Sequence, residues 1–143
     1  MIIKQLTIFL ENKSGRLSEA TKVLGDNGIN ISALSIADTS EYGLLRLIVS
    51  DGEKAVELLK QEGFSVSLTN VICLKVEHRP GTLHDAIAAL SQSGVDVEYM
   101  YAYVAGNHAS VIMKVSDCQK AIDTLKKENI DILEAKEVYH NCQ

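Results

Sequence analysis

Residues 11–34 read E-N-K-S-G-R-L-S-E-A-T-K-V-L-G-D-N-G-I-N-I-S-A-L, and residues 77–100 read E-H-R-P-G-T-L-H-D-A-I-A-A-L-S-Q-S-G-V-D-V-E-Y-M. The second stretch is the first one again, 66 residues later. Glu11, Gly15, Leu17, Ala20, Leu24 and Gly28 return as Glu77, Gly81, Leu83, Ala86, Leu90 and Gly94. Each stretch reads as the end of a strand, a short glycine loop, an amphipathic helix and the start of another strand.

Working outward, the same offset pairs Val49-Ser50-Asp51 with Val115-Ser116-Asp117, and Lys54, Ala55 and Leu59 with Lys120, Ala121 and Leu125. Self-similarity at a fixed spacing marks a repeated structural unit. The chain is therefore two copies of one domain, 1–70 and 71–138, followed by a tail, 139–143. Ser67–Val71 leaves no room for a linker, so the copies are expected in a fixed relation. The tail is expected to be disordered.

Within the first copy, Leu6, Ile8 and Leu10 alternate as a strand does. Ser14 or Gly15 starts a helix, and Leu17, Ala20, Val23 and Leu24 form its apolar stripe. Gly28 stands where a left-handed cap ends the helix. Ile29–Ala37 is a second strand, 38–41 a polar turn and Leu44–Ser50 a third strand. Asp51 caps a second helix, whose buried stripe is Ala55, Val56, Leu58 and Leu59. Gly63 ends that helix, and Phe64, Val66 and Leu68 alternate in a fourth strand. The second copy has Asn129 in place of Gly63, and Asn is the residue that next best tolerates a left-handed backbone.

The order β-α-β-β-α-β, with right-handed crossovers, predicts an α+β fold. It consists of two tandem ferredoxin-like domains, each an antiparallel sheet with both helices on one face. Leu44–Val49 is apolar at both parities, and a domain of about 70 residues buries little core alone. The copies are thus expected to pack together, and the chain to form a homodimer.

Composition excludes several classes. Among 143 residues, 46% are apolar, 23% are charged and one is proline. No apolar run approaches the ~20 residues that span a bilayer, and no signal peptide opens the chain, so the expected location is cytoplasmic, away from membranes. A net charge of −5 argues against nucleic acid as a partner. Cys73, Cys118 and Cys142 have no C-x-x-C spacing, and His78, His84, His108 and His140 have none of the spacings of metal ligands. No metal or cofactor is expected.

The candidate chemistry lies in the first strand–helix loop of each copy. These loops are Asn12-Lys13-Ser14-Gly15-Arg16-Leu17 and His78-Arg79-Pro80-Gly81-Thr82-Leu83. A helix N-terminus offers N–H donors and a positive dipole end, and glycine permits close approach, which suits a carboxylate. The next strand is expected to begin beside the loop, with Asn30-Ile31 in one copy and Asp96-Val97 in the other. Asn30 or Asp96 can accept from an ammonium group, and Asp96 adds a countercharge. Together these groups would hold a free α-amino acid. Arg16 and Arg79 flank the glycines as solvated charges, and His78 is a further candidate contact.

Both copies resemble ACT domains, the small-molecule sensing modules of amino-acid metabolism. The residues that carry this are E-N-K-S-G-R-L with G-I-N-I-S-A-L, and E-H-R-P-G-T-L with G-V-D-V-E-Y-M. The first copy is similar to the small regulatory subunit of acetolactate synthase, a family that sets an Asn in the loop and another at the second strand against its effector. Asn12 and Asn30 match those positions, whereas the second copy has His78 and Asp96. A stand-alone pair also resembles regulators of the glycine-cleavage type. The resemblance implies a non-catalytic sensor. Its effector lies between two ACT domains, and its state is passed to a partner enzyme or regulator.

Tyr99, Tyr101 and Tyr103 share one sheet face, as interface packing or as a pocket wall. An enzyme of acylphosphatase type is the alternative on this fold, as is a purely structural interaction module, because fold alone does not define function. No convergent set of nucleophile, base and stabiliser is evident to support catalysis.

Overall fold

A computed structural model describes residues 1–11, 14–38 and 41–140. They form two compact units, one of Lys4–Thr69 with Tyr139 and His140 and one of Asn70–Val138 with Met1–Ile3.

In the first unit, β1 (Ile3–Glu11) leads to α1 (Arg16–Asp26), β2 (Ile31–Asp38), β3 (Tyr42–Val49) and α2 (Gly52–Gln61). The chain then enters β4 (Ser65–Glu77), which reaches into the second unit. The strand order is β4-β1-β3-β2. Alternation fixes the register: Leu6 and Ile8 lie opposite Leu47 and Leu45, and all four are buried with Ala20 and Leu24 of α1 and Ala55 and Leu59 of α2. Ile48, on the face away from the helices, is buried as well.

The second unit repeats this plan. After the Asn70–Glu77 part of β4 come α3 (Thr82–Gln92), β5 (Val97–Ala105), β6 (His108–Val115), α4 (Cys118–Lys127) and β7 (Asp131–Ile132). The order is β7-β4-β6-β5, antiparallel throughout. Ile72, Leu74, Val111 and Met113 face Ala86 and Leu90 of α3 and Ala121 and Leu125 of α4.

All four principal helices end in the same way. At α1 the N–H of Ile29 donates to Leu24 and that of Gly28 to Gly25. The equivalent pairs are Phe64 to Leu59 with Gly63 to Lys60, Val95 to Leu90 with Gly94 to Ser91, and Ile130 to Leu125 with Asn129 to Lys126. This is the Schellman motif, which needs a left-handed residue after the cap and joins two apolar side chains across the turn. Asn129 adopts φ 59°, where its counterpart Gly63 has φ 85°, as the repeat predicts.

Three details differ from the sequence reading. Leu17 belongs to the predicted stripe but is 42% exposed, because it sits in the first turn of α1, ahead of the part that covers the sheet. The last strand of the second unit is only two residues long. Its alternation breaks at Leu133, and Ala135-Lys136-Glu137 favour helix. They open a further helix, α5 (Ala135–His140), in which the N–H of Glu134 donates to Glu137 at 2.7 Å. Tyr139 and His140 are therefore helical rather than disordered; the rest of the tail, with Cys142, lies outside the described residues.

No helix among the described residues is long and apolar enough to cross a membrane.

Candidate functional site

The helices begin in two contrasting ways. Asp51 and Asp117 cap α2 and α4, accepting from the N–H groups of Lys54 at 3.1 Å and Lys120 at 3.0 Å. By contrast, α1 and α3 follow Gly15 and Gly81, which are left-handed (φ 89° and 91°) and supply no side-chain cap. A β-carbon would be strained at either φ, although space is open around both glycines. Each of these helix starts carries an acidic residue in its first turn, Glu19 or Asp85, but no side chain accepts from its first N–H groups.

The loop of the second unit is held by its own atoms. The Thr82 hydroxyl donates to the Glu77 carbonyl at 2.7 Å, the His78 N–H to the Asn107 carbonyl at 2.8 Å, and Arg79 Nε to Glu77 Oε2 at 2.6 Å. Arg79 holds the Glu77 carboxyl below the usual carboxylate range, with a smaller contribution from His108, which lies directly across the strand pair. Asn12 of the first loop lies outside the described residues, which resume at Ser14.

Arg16 is not the solvated charge expected from the sequence. Its guanidinium lies 4.0 Å from the centre of the Phe64 ring, and its Nη1 donates to Glu19 at 2.8 Å. Arg79, at the loop of the other unit, does remain exposed. The sequence held a signal for this difference. Phe64 and Ile130 are repeat partners, and an aromatic face beside a helix start is a platform for Arg.

The strand starts do not lie beside the loops, contrary to the sequence expectation. Register shows why. Val97 pairs with Val115 at one end of β5 and Ala105 with His108 at the other, whereas Glu77, which leads into the loop, pairs with His108. The nine residues of β5 therefore separate Asp96 from its own loop by about 26 Å. In the first unit Ile31 pairs with Val49, while Glu11 lies opposite Tyr42 at the loop end. Helices α1 and α3 carry the chain back to the far end before the next strand starts. There Asn30 and Asp96 exchange bonds with Ser50 and Ser116, whose hydroxyls accept from their N–H groups at 3.0 Å. Both side chains are exposed, as an open half-site would be.

Each unit also has a groove beside its first helix. That of the second unit encloses 620 Å³ and is lined by Glu77, Arg79, Thr82, Asp85 and Ile130, among others. Its counterpart, with Glu19, Val23 and Phe64, encloses 340 Å³. Of the candidate ligand residues, Thr82 lines the larger groove and Asp96 does not.

Burial pushes the Cys73 thiol up to about 12, so it remains protonated at neutral pH and is no nucleophile there. Cys118 is the first residue of α4, and its thiol contacts the Asn70 carbonyl. Among the described residues no group of three or more His, Cys, Asp or Glu side chains could hold a metal ion.

Two ferredoxin-like units in tandem, each with an uncapped glycine entry to its first helix, place the chain among paired α+β domains. The chain belongs to the family of ACT domain pairs, which matches residues 1–141. Protein BT0572 from Bacteroides thetaiotaomicron is 45% identical, with 98% of this chain and 97% of that one covered and a TM-score of 0.95. Two more distant structures share the fold. The ligand-free regulatory subunit of aspartate kinase from Thermus thermophilus is 14% identical with a TM-score of 0.67, covering 87% of this chain and 91% of its own. The corresponding subunit from Thermus flavus is 15% identical with a TM-score of 0.60, covering 89% and 94%. No curated protein matches the chain in sequence.

Proposed function

We propose that the protein is a non-catalytic, cytoplasmic regulator that binds a free amino acid at ACT-domain interfaces and passes its state to a partner enzyme or regulator. The domains are 1–70 and 71–138, and the chain acts as a homodimer. The observation that carries this reading is the contrast in helix starts. Asp51 and Asp117 cap α2 and α4 from within the chain, but α1 and α3 have no side-chain cap. A ligand carboxylate meets that need, with Ser14, Gly15, Arg16 and Leu17 at one loop and His78, Pro80, Gly81, Thr82 and Leu83 at the other. Asn12 completes the first loop in sequence. The ammonium group is taken by Asn30 beside Ile31, or by Asp96 beside Val97. Loop and strand start stand at opposite ends of each unit, so a complete site draws them from two different units. A ligand bridging two units favours the arrangement that makes the bridge, and this is how binding would be transmitted.

The test is a thermal melt against each of the twenty amino acids at millimolar concentration. A ligand at ~100 times its dissociation constant adds about 2.7 kcal/mol and raises the midpoint by roughly 5–10 °C. One amino acid is expected to do so, and Asp96→Ala or Asn30→Ala to weaken its effect without unfolding the chain. A flat panel, or unchanged affinity in both variants, would reject the site.

A further inference from the structure

We propose that Asn27 is a site of spontaneous deamidation latched by the fold. The Gly28 nitrogen attacks the Asn27 side chain only while the last turn of α1 is open, and the product hinders that turn from closing again. The inference does not depend on the amino-acid reading above.

Asn27-Gly28 is the sole Asn-Gly pair in the chain. Glycine has no β-carbon, so the backbone nitrogen that follows Asn27 is sterically open. That nitrogen, on losing its proton, bonds to Asn27 Cγ; the Cγ–Nδ2 bond breaks and the nitrogen leaves as ammonia. Water then opens the five-membered imide at either carbonyl, giving aspartate or isoaspartate at position 27. An amide and a water go in, a carboxyl group and an ammonia come out, and nothing is oxidised or reduced.

The folded turn holds the reacting groups apart. Asn27 has ψ 13°, which eclipses the Gly28 nitrogen with the Asn27 nitrogen and turns it away from the Asn27 side chain. Asn27 Nδ2 donates to the Val23 carbonyl at 2.8 Å, the Gly28 N–H to the Gly25 carbonyl at 3.1 Å, and Lys54 Nζ to the Asn27 carbonyl at 3.2 Å. The latch is nonetheless shallow. Asn27 and Gly28 are both exposed, so opening them breaks hydrogen bonds without unpacking their side chains. A helix end of this kind frays well before the whole protein unfolds.

Closing again is harder for the product. A carboxylate has no N–H to return to Val23, and it adds a negative charge beside Asp26, at the end of a helix with no basic residue in its last turn. Lys22 is already bound to Asp26 at 2.6 Å. Isoaspartate also inserts a backbone carbon inside the Schellman turn, so the bonds from Gly28 to Gly25 and from Ile29 to Leu24 lose their spacing. The second unit has the same turn with Ser93 before Gly94, and serine has no amide to lose. At this turn the change is confined to the first unit, where Asn27 also lines the 340 Å³ groove.

Peptide mapping by mass spectrometry tests the site. The protein is held at mildly alkaline pH, native in buffer or unfolded in guanidinium chloride, and fragmentation assigns any gain of a single mass unit to Asn27 or Asn30. A gain at Asn27 is expected in both states, about tenfold or more slower in the native protein. Asp51-Gly52 closes the same ring without a change of mass, so it does not enter the reading. Asn27→Ser, which copies the second unit, should abolish the gain and keep the fold. Asn27→Asp supplies one product directly. It should lower the thermal midpoint and speed hydrogen exchange at the Gly28 and Ile29 N–H groups about threefold or more, with Gly94 and Val95 unchanged. No gain at Asn27 in the native protein, or equal rates in the two states, overturns the latch. Wild-type exchange at Gly28 and Ile29 in Asn27→Asp overturns the hindered closure.

Discussion

At the start of α1 the Arg16 guanidinium lies over Phe64; at the same place on α3 stand Thr82 and Ile130. Around these positions the two units are built alike. The same Asp caps, Schellman turns and sheet-facing leucines recur at a spacing of 66 residues. Substitution has thus been tolerated where the scaffold does not depend on it. One groove is 340 Å³ and reaches Phe64, on whose ring Arg16 stacks; the other is 620 Å³ and runs to Glu77, Arg79 and His108. A duplicated fold can keep its frame fixed while its two mouths diverge.

The largest effects should come from the shared frame. Leu24→Ala and Leu90→Ala each remove a fully buried side chain and should cost about 2–5 kcal/mol in urea unfolding. Native-state hydrogen exchange should place the loss from Leu24→Ala in the Lys4–Thr69 unit and that from Leu90→Ala in the other. Loss spread evenly over both would show that the two cores unfold as one. A smaller effect separates Gly63 from Asn129. Gly63→Ala puts a β-carbon into a left-handed turn, for about 1–2 kcal/mol, whereas Asn129→Ala replaces a residue that already carries one and should cost less, and Asn129→Gly should leave stability equal or higher. An equal loss at both positions would remove the distinction. The smallest effect addresses the divergence itself. Arg16→Thr, which copies the second unit, should lose about 0.5–1 kcal/mol of cation–π contact. A double-mutant cycle with Phe64→Leu should recover that coupling, and additive losses would argue that the stack contributes nothing.

Much of the frame was legible because it is periodic. Alternation placed β1, the polar turn before an apolar run placed β3, helical spacing placed Ala20, Leu24, Ala55 and Leu59, and the repeat identified Asn129 as a left-handed residue. Helix α5 was missed because it lies where the repeat ends, so no second copy guided its reading. The site was read less well for a geometric reason. Residues adjacent on paper, such as Gly81 and Asp96, lie on either side of a helix of eleven residues, which returns the chain to the opposite end of the sheet. The partnership of Arg16 with Phe64 spans 48 positions, and its one signal in the sequence is the contrast of Phe64 with its repeat partner Ile130.

The burial of Cys73 gives the molecule a built-in clock. The sequence has no cysteine between Lys4 and Thr69, so with Cys142 replaced by Ser thiol chemistry is blind to that stretch. Cys118 is partly exposed and can be blocked first, in the native state. A reagent reaches Cys73 only when the strands around it open, and its labelling rate then counts those openings. If effector binding quiets the protein, the rate should fall as ligand is added, reporting the breathing of one unit while its twin stays silent.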